Sequence, residues 1–213
     1  MGSGSIFFAL VYLLVYPFIM LYKKIPMGPS HLMFPIPASL VVTGQSNDLN
    51  VAAVAWIGMM TYSPPIVTIS LKEGRHSLDL IRKYKEFTVN LPSAEHYKET
   101  DYCGLVSGSD ENKLETIGFS TEDSLNIKTP IIKECPYNME CKVVKEVTID
   151  CWQLVFGEIV ETHIDESVCK NDGSIDVNKL NPLVYLAQIK EYWTIGNKLG
   201  DVKTSGEHFT KKP

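Results

Sequence analysis

Apolar positions recur along this chain mostly with a period of two, and only in short stretches with a helical period. "EFTVNLP" sets Phe87, Val89 and Leu91 on one face and Thr88 and Asn90 on the other, which predicts a strand. "MECKVVKEV" groups Met139, Cys141, Val143 and Val147, and "CWQLVFGEIVETHI" groups Trp152, Leu154 and Phe156, with Gly157 as a bulge. "ASLVVTG" reads as a buried strand closed by the turn-rich "GQSNDLN". "PPIVTISLK" is a strand with its prolines at the start. "VAAVAWIGMM" is apolar and rich in small residues, so a strand and a buried helix compete there.

The helical stretches are short. "SLDLIRKY" spaces Leu78, Ile81 and Arg82 as a helix does, with Ser77 in the place of an N-cap. "EHYKETDYCGLVS" and "ENKLETIG" form two further pieces broken at "GSD". "IPMGPSHLMFPIP" holds four prolines and reads as an irregular extended lead-in. "NDGSID" is a turn, and "NPLVYLAQIKEYWTIG" closes the domain with Pro182 starting a short helix or loop. Many strands with few helices between them predict a mainly β fold, an antiparallel barrel with helical insertions. A doubly wound parallel sheet would need helices between most strands.

Composition narrows the function classes. The chain has 213 residues, 45% hydrophobic and 21% charged, enough for one sizeable core and not the make-up of a disordered chain. Its net charge is −5 without a Lys/Arg block, which argues against a nucleic-acid partner. The five cysteines form no C-x-x-C and read as reduced thiols of a cytoplasmic protein. Neither a dinucleotide nor a P-loop fingerprint is present, nor G-x-S-x-G or H-E-x-x-H. No side chain is singled out as catalytic and no metal site is indicated.

Residues 6–22, "IFFALVYLLVYPFIMLY", carry no charge and precede Lys23 and Lys24. As a helix this segment would be about 25 Å long, short of a hydrocarbon core of about 30 Å. It reads as a single membrane anchor, as an apolar helix packing on a partner subunit, or as an extension without a function. The expected organisation is an apolar segment over 1–24, one domain over 25–200 and a tail over 201–213.

One loop stands apart. The strand "IVTISLK" ends at Lys72, Arg75 and His76, and a helix starts there. Backbone N–H groups at a helix start with basic side chains nearby form an anion site, although a basic loop beside a helix is also an ordinary solvated turn. The neighbouring "NVAAVAW" lets a flat ligand lie close to the backbone, or marks tight core packing.

The order "PIPASLVVTG…LNVAAVAWIGMMTYSPPIVTISLKEGRHSLDLI…EFTVNLP…CGLVSGSDENK", with the ending "FGEIVETHID…DGSID…NPLVYLAQIKEYWTIG", resembles the flavin reductase-like, FMN-binding split-barrel proteins, and their flavoredoxin branch most closely. The resemblance spans roughly residues 25–200. It implies a six-stranded antiparallel Greek-key split barrel that forms a homodimer with FMN near the interface, passing electrons from a redox protein or NAD(P)H. It implies further that Asn50, Val51, Ala52, Ala53 and Trp56 line the flavin, with Ser70, Leu71 and Lys72 at the strand end beside it. Arg75, His76 and Ser77 match the phosphate-binding loop, Asn90 a family Asn near the pocket, and Lys113 a lysine of the same region. Two positions depart from the family pattern. Ala55 stands where many members have Ser, so one donor to the flavin is missing. "TIDCWQL" places Asp150 and Cys151 where NAD(P)H-oxidising members carry Gly-Asp-His, which moves weight toward an electron-transfer flavoprotein.

Overall fold

Seven strands form one antiparallel sheet: Ser39–Gln45 (β2), Asp48–Val54 (β3), Ile57–Tyr62 (β4), Pro65–Lys72 (β5), Glu86–Leu91 (β6), Tyr137–Ile149 (β9) and Trp152–Ile164 (β10), in the order β3-β2-β6-β9-β10-β5-β4. The structure, a computed structural model, describes residues 24–209. The first and last strands of this order, β3 and β4, are joined only by Ala55 and Trp56. A link of that length spans at most about 11 Å. The sheet must therefore curl until its two edges nearly meet, which is how a split barrel forms.

The barrel interior follows from alternation. Val41, Val54, Val67, Ile69, Phe87, Val89, Met139, Cys141 and Val155 come from six different strands and meet in one core. Gly157 lies under Phe87, and a Cβ there would collide with the Phe87 ring and crowd Cys141. The helix His76–Tyr84 (α1) closes one end by adding Leu78 and Ile81 to the core. Leu40, Val42 and Val51 point the other way. They are covered by Cys103 of helix Tyr97–Leu105 (α2), Leu114 of helix Lys113–Ile117 (α3), and Ile132 of strand Ile131–Ile132 (β8). Both faces of β2 are thus buried, which is why "LVV" is apolar without a break.

Strand Ile36–Pro37 (β1) pairs with Leu183–Leu186 (β11), which pairs with Glu191–Thr194 (β12). A small pair, Thr121–Glu122 (β7) with β8, and a helical turn, Val177–Leu180 (α4), complete the domain.

Several expectations need correction. The main sheet has seven strands rather than six, because "VAAVAWIGMM" is all strand and breaks at Ala55–Trp56 into β3 and β4. The turn after β2 is shorter than "GQSNDLN", since Asp48, Leu49 and Asn50 already belong to β3. Pro182 starts neither helix nor loop but the β11–β12 hairpin. Trp152, Leu154 and Phe156 do share one face as expected, and it points away from the core, which receives Val155 from β10. Val147 pairs with Leu154 and shares that outer face, while Val143 pairs with Gly157 on the inner one. The cause is a register shift opposite Gly157: Val144 is an extra residue in β9, and one inserted residue turns every later side chain to the other side. The sequence placed the irregularity at the right glycine but on the wrong strand.

By its contacts the chain divides into two units, Met1–His31 and Leu32–Pro213. The described part of the first, residues 24–31, is exposed and holds no strand or helix, as four prolines in the lead-in predict. The apolar segment 6–22 lies outside the described residues. Among the described residues no helix is long and apolar enough to cross a membrane.

Candidate flavin site

A cleft of about 280 Å³ opens where β3, β5, α1 and α2 converge. β5 runs along its floor and ends at Lys72, and the loop Glu73–Gly74–Arg75 turns into α1. Gly74 has φ +82°, which side chains resist, so glycine suits this turn. The loop is tied down at both ends. Glu73 N donates to Cys151 O at 2.8 Å, and Arg82 grips the Glu73 carboxylate through two guanidinium nitrogens at 2.6 and 3.1 Å. That pairing takes up the one carboxylate of "KEGR" and draws the Glu73 carboxyl below its usual range, with the Arg82 hydrogen bond as the main cause. Arg82 also reaches Glu146 at 3.2 Å.

The start of α1 has no side-chain cap; Arg75 occupies the N-cap position with extended backbone. Ser77, expected there, lies inside the first turn and is buried. Its Oγ accepts a hydrogen bond from Asn50 Nδ2 at 2.6 Å. The hydroxyl is held by a residue 27 positions away, so local helix-start rules could not assign it.

Eleven of the expected residues meet on this cleft. Asn50, Ala52, Ala53 and Trp56 come from β3 and the link to β4, and Ser70, Leu71 and Lys72 from the end of β5. Arg75, His76 and Ser77 come from the loop and α1, and Lys113 from the start of α3. Two expected residues lie elsewhere. Val51 points into the second core and reaches the site only through its carbonyl, which accepts from Lys113 Nζ at 2.7 Å. Asn90 is fully buried away from the cleft. It donates to Leu40 O and Thr88 Oγ1 and accepts from Ile132 N and Asn138 Nδ2, so its role here is to join strands.

The electrostatics of the cleft are one-sided. Lys72, Arg75 and Lys113 line it together with His76, and among the described residues no Asp or Glu does, in a chain whose net charge is −5. Lys113 is 5% exposed and donates to Val51 O and, at 3.0 Å, to Cys103 O. Burial lowers its pKa, and burial pushes the neighbouring Cys103 thiol up to about 11. Asn50 Oδ1 is buried in the cleft wall and has no hydrogen-bond partner among the described residues. Gly108 passes so close to it that a Cβ would collide with that oxygen.

Sequence reasoning missed one wall, made by Cys103 and Gly104 at the end of α2 and Val106–Gly108 after it, and Trp152 at the rim. The glycines of "CGLVSGS" were a readable signal for close backbone approach. Trp152 was not readable as a site residue until the outer face of β10 was known.

A family model described as a flavin reductase like domain matches residues 31–193. The chain belongs to this family. Its fold agrees with that of the flavoredoxin of Desulfovibrio vulgaris (Miyazaki F), at TM-score 0.82 and 28% identity, over 86% of this chain and all of that one. The flavoredoxin of Methanosarcina acetivorans matches with the same TM-score and identity over 88% of this chain and all of that one. An uncharacterized protein of Archaeoglobus fulgidus is 34% identical over 146 residues, 68% of this chain and 81% of its own length. The family resemblance read from the ordered motifs therefore holds across the main domain, and the fold is the split barrel of these relatives.

Proposed function

We propose that the chain is a flavoprotein oxidoreductase that holds FMN in this cleft, with the 5′-phosphate on the loop Arg75–Ser77. The observation that carries this reading is the uncapped start of α1 beside Lys72, Arg75 and Lys113 in a cleft without a carboxylate. First-turn amides form the positive end of a helix, and a guanidinium offers a planar fork to phosphate oxygens. The residues fit such a ligand in two further ways. Asn50 Oδ1 needs a donor, which a polyhydroxylated chain supplies. Ala52, Ala53, Gly104 and Gly108 keep that wall free of bulky side chains, so a flat ring can approach the backbone.

Bound FMN supplies the redox chemistry, and the protein binds it, orients it and sets its electrostatics. Lys113 brings a positive charge into a poorly solvated wall, where it stabilises negative charge on the ligand beside it. Trp56 and Trp152 stand at the rim and restrict access by water. Val51 and Asn90 act from behind, by fixing Lys113 and by joining strands.

Within this reading, electron carriage between protein partners is favoured over direct oxidation of NAD(P)H. Asp150, at φ +53°, and Cys151 make the tight turn between β9 and β10 next to Trp152, where the NAD(P)H-oxidising pattern has Gly-Asp-His. The working form is a cytoplasmic homodimer. The support is an apolar outer surface around β4, where Met59 and Met60 are about half exposed and Tyr62 is 94% exposed. The test is the purified protein itself. A visible flavin spectrum that follows FMN addition supports the reading, and a chain that stays colourless with saturating FMN contradicts it. Anaerobic NAD(P)H consumption without a partner protein would replace the carrier reading by a reductase.

A further inference from the structure

A second, smaller cleft of about 240 Å³ lies on the other side of a low ridge from the first. The two share Ala53, Val54, Ala55 and Gly104. The ridge is therefore made of small residues and backbone, and α2 lies close on it, since a Cβ at Gly104 would sit 3.4 Å from that of Ala53. The far wall is aromatic. Tyr185 of β11 and Tyr192 of β12 stand with ring centroids 5.4 Å apart, tilted by 41°. Tyr192 Oη donates to Asp101 Oδ1 of α2 at 3.2 Å, and Tyr185 Oη donates to Ala187 O at 3.3 Å.

The charge of this cleft is opposite to that of the first. Among the described residues Asp101 is the only charged one lining it, whereas the first cleft has cations and no carboxylate among them. Tyr192 does not offset this charge: burial and Asp101 both raise its pKa, so it stays a neutral phenol that donates. Tyr192 engages one carboxylate oxygen of Asp101 and leaves the second for a ligand donor. A cavity of about 150 Å³ holds a benzene ring, so this one has room for a single ring with a polar substituent.

We propose that this cleft binds a flat aromatic compound that is neutral or cationic and carries an N–H group, such as an aromatic amide, amine or amidine. The ring stacks on Tyr192 and the N–H donates to Asp101. An anionic compound is excluded by the Asp101 carboxylate and is drawn to the other cleft. Two ligands of opposite charge are thereby held side by side, separated by Ala53, Val54, Ala55 and Gly104. This goes beyond the flavin reading. Binding here is measured without turnover, so its failure is separate from failure of that reading.

The test uses three one-ring probes that differ in charge: benzamidine, benzamide and benzoate. Ligand-observed NMR titrations are made with the full chain, alone and with FMN. Benzamidine and benzamide are expected to bind and benzoate at least about tenfold more weakly. Asp101→Asn should weaken benzamidine by about fivefold and leave benzamide unchanged. Tyr192→Phe should keep the binding of both, and Tyr192→Ala should weaken both. Equal binding of benzoate and benzamidine, binding of none of the three, an Asp101→Asn protein indistinguishable from the parent, or displacement of benzamidine by FMN would each overturn the proposal. Should Tyr192→Ala fail to fold, the Asp101→Asn arm decides.

Discussion

Two regions of this molecule place charge against backbone amides, and they end in opposite states. In the loop Ser124–Thr129 the chain supplies its own anions. Glu140, fully buried, accepts from Leu125 N at 2.6 Å and Asn126 N at 2.7 Å, with His163 Nε2 also 2.7 Å away. Glu86 accepts from Lys128 N and Thr129 N, both at 2.8 Å, and from Gln45 Nε2. At the start of α1 the amides have no side-chain cap, and three basic side chains stand nearby without a carboxylate in the cleft. The completed arrangement fastens a loop to the barrel. On the proposed function, the incomplete one takes its anion from outside, and that difference would separate a structural motif from a binding site.

If this contrast is right, damage to the first region reads out as lost stability and damage to the second as lost affinity. The largest effect is expected for Glu140→Ala. Removing one member of a buried, hydrogen-bonded charge cluster costs about 3–5 kcal/mol, to be read from urea denaturation, while FMN affinity of the folded protein is retained. The same residue gives a pH dependence. Burial pushes the Glu140 carboxyl up, but the amides of Leu125 and Asn126 and the His163 ring outweigh it and hold it below the ordinary range. A depressed carboxylate stabilises the fold above its unfolded pKa of about 4.3, and this is lost as pH falls through the lower folded value. The urea midpoint should therefore drop below about pH 4.3 in the parent, with this component missing in Glu140→Gln. Next in size is Lys113→Met, which leaves Val51 O and Cys103 O without their donor. It should cost about 2 kcal/mol and also weaken FMN, because Lys113 belongs to both kinds of region. The smallest effect is expected for Arg82→Ala. Its pairs with Glu73 and Glu146 are largely solvated, so the urea midpoint should move little. Freeing Glu73 beside the cleft should still lower FMN affinity by a few-fold at low salt and less at high salt.

How far each region can be read from the sequence follows from how local it is. The strand, loop and helix from Ile66 to Tyr84 are contiguous, so Lys72, Arg75 and His76 could be placed together from their order alone. Ser77 was placed with them, but as an N-cap; its actual hold on Asn50 could not be read, because that partner arrives through the tertiary fold. The outer placement of Val147 was hidden by Val144, whose insertion shifts the alternation of β9 where a strict period of two predicts none. Asn90 was expected at the site because it matches a family Asn near the pocket. It is instead satisfied by Leu40, Ile132 and Asn138 inside the protein. The loop held by Glu140 was not legible either, since nothing local to residues 124–129 names a carboxylate from β9.

The central claim is that the anion missing at α1 is the phosphate of FMN. Titrating the parent and Arg75→Ala with FMN and with riboflavin, followed by flavin fluorescence, tests it most directly. A charge-assisted hydrogen bond is worth about 1.5–3 kcal/mol, and about 1.4 kcal/mol corresponds to tenfold in affinity. Arg75 is exposed, so the lower end applies. The account predicts that Arg75→Ala binds FMN about tenfold more weakly than the parent and binds riboflavin equally well. An equal loss for both ligands, or no loss for FMN, would contradict it.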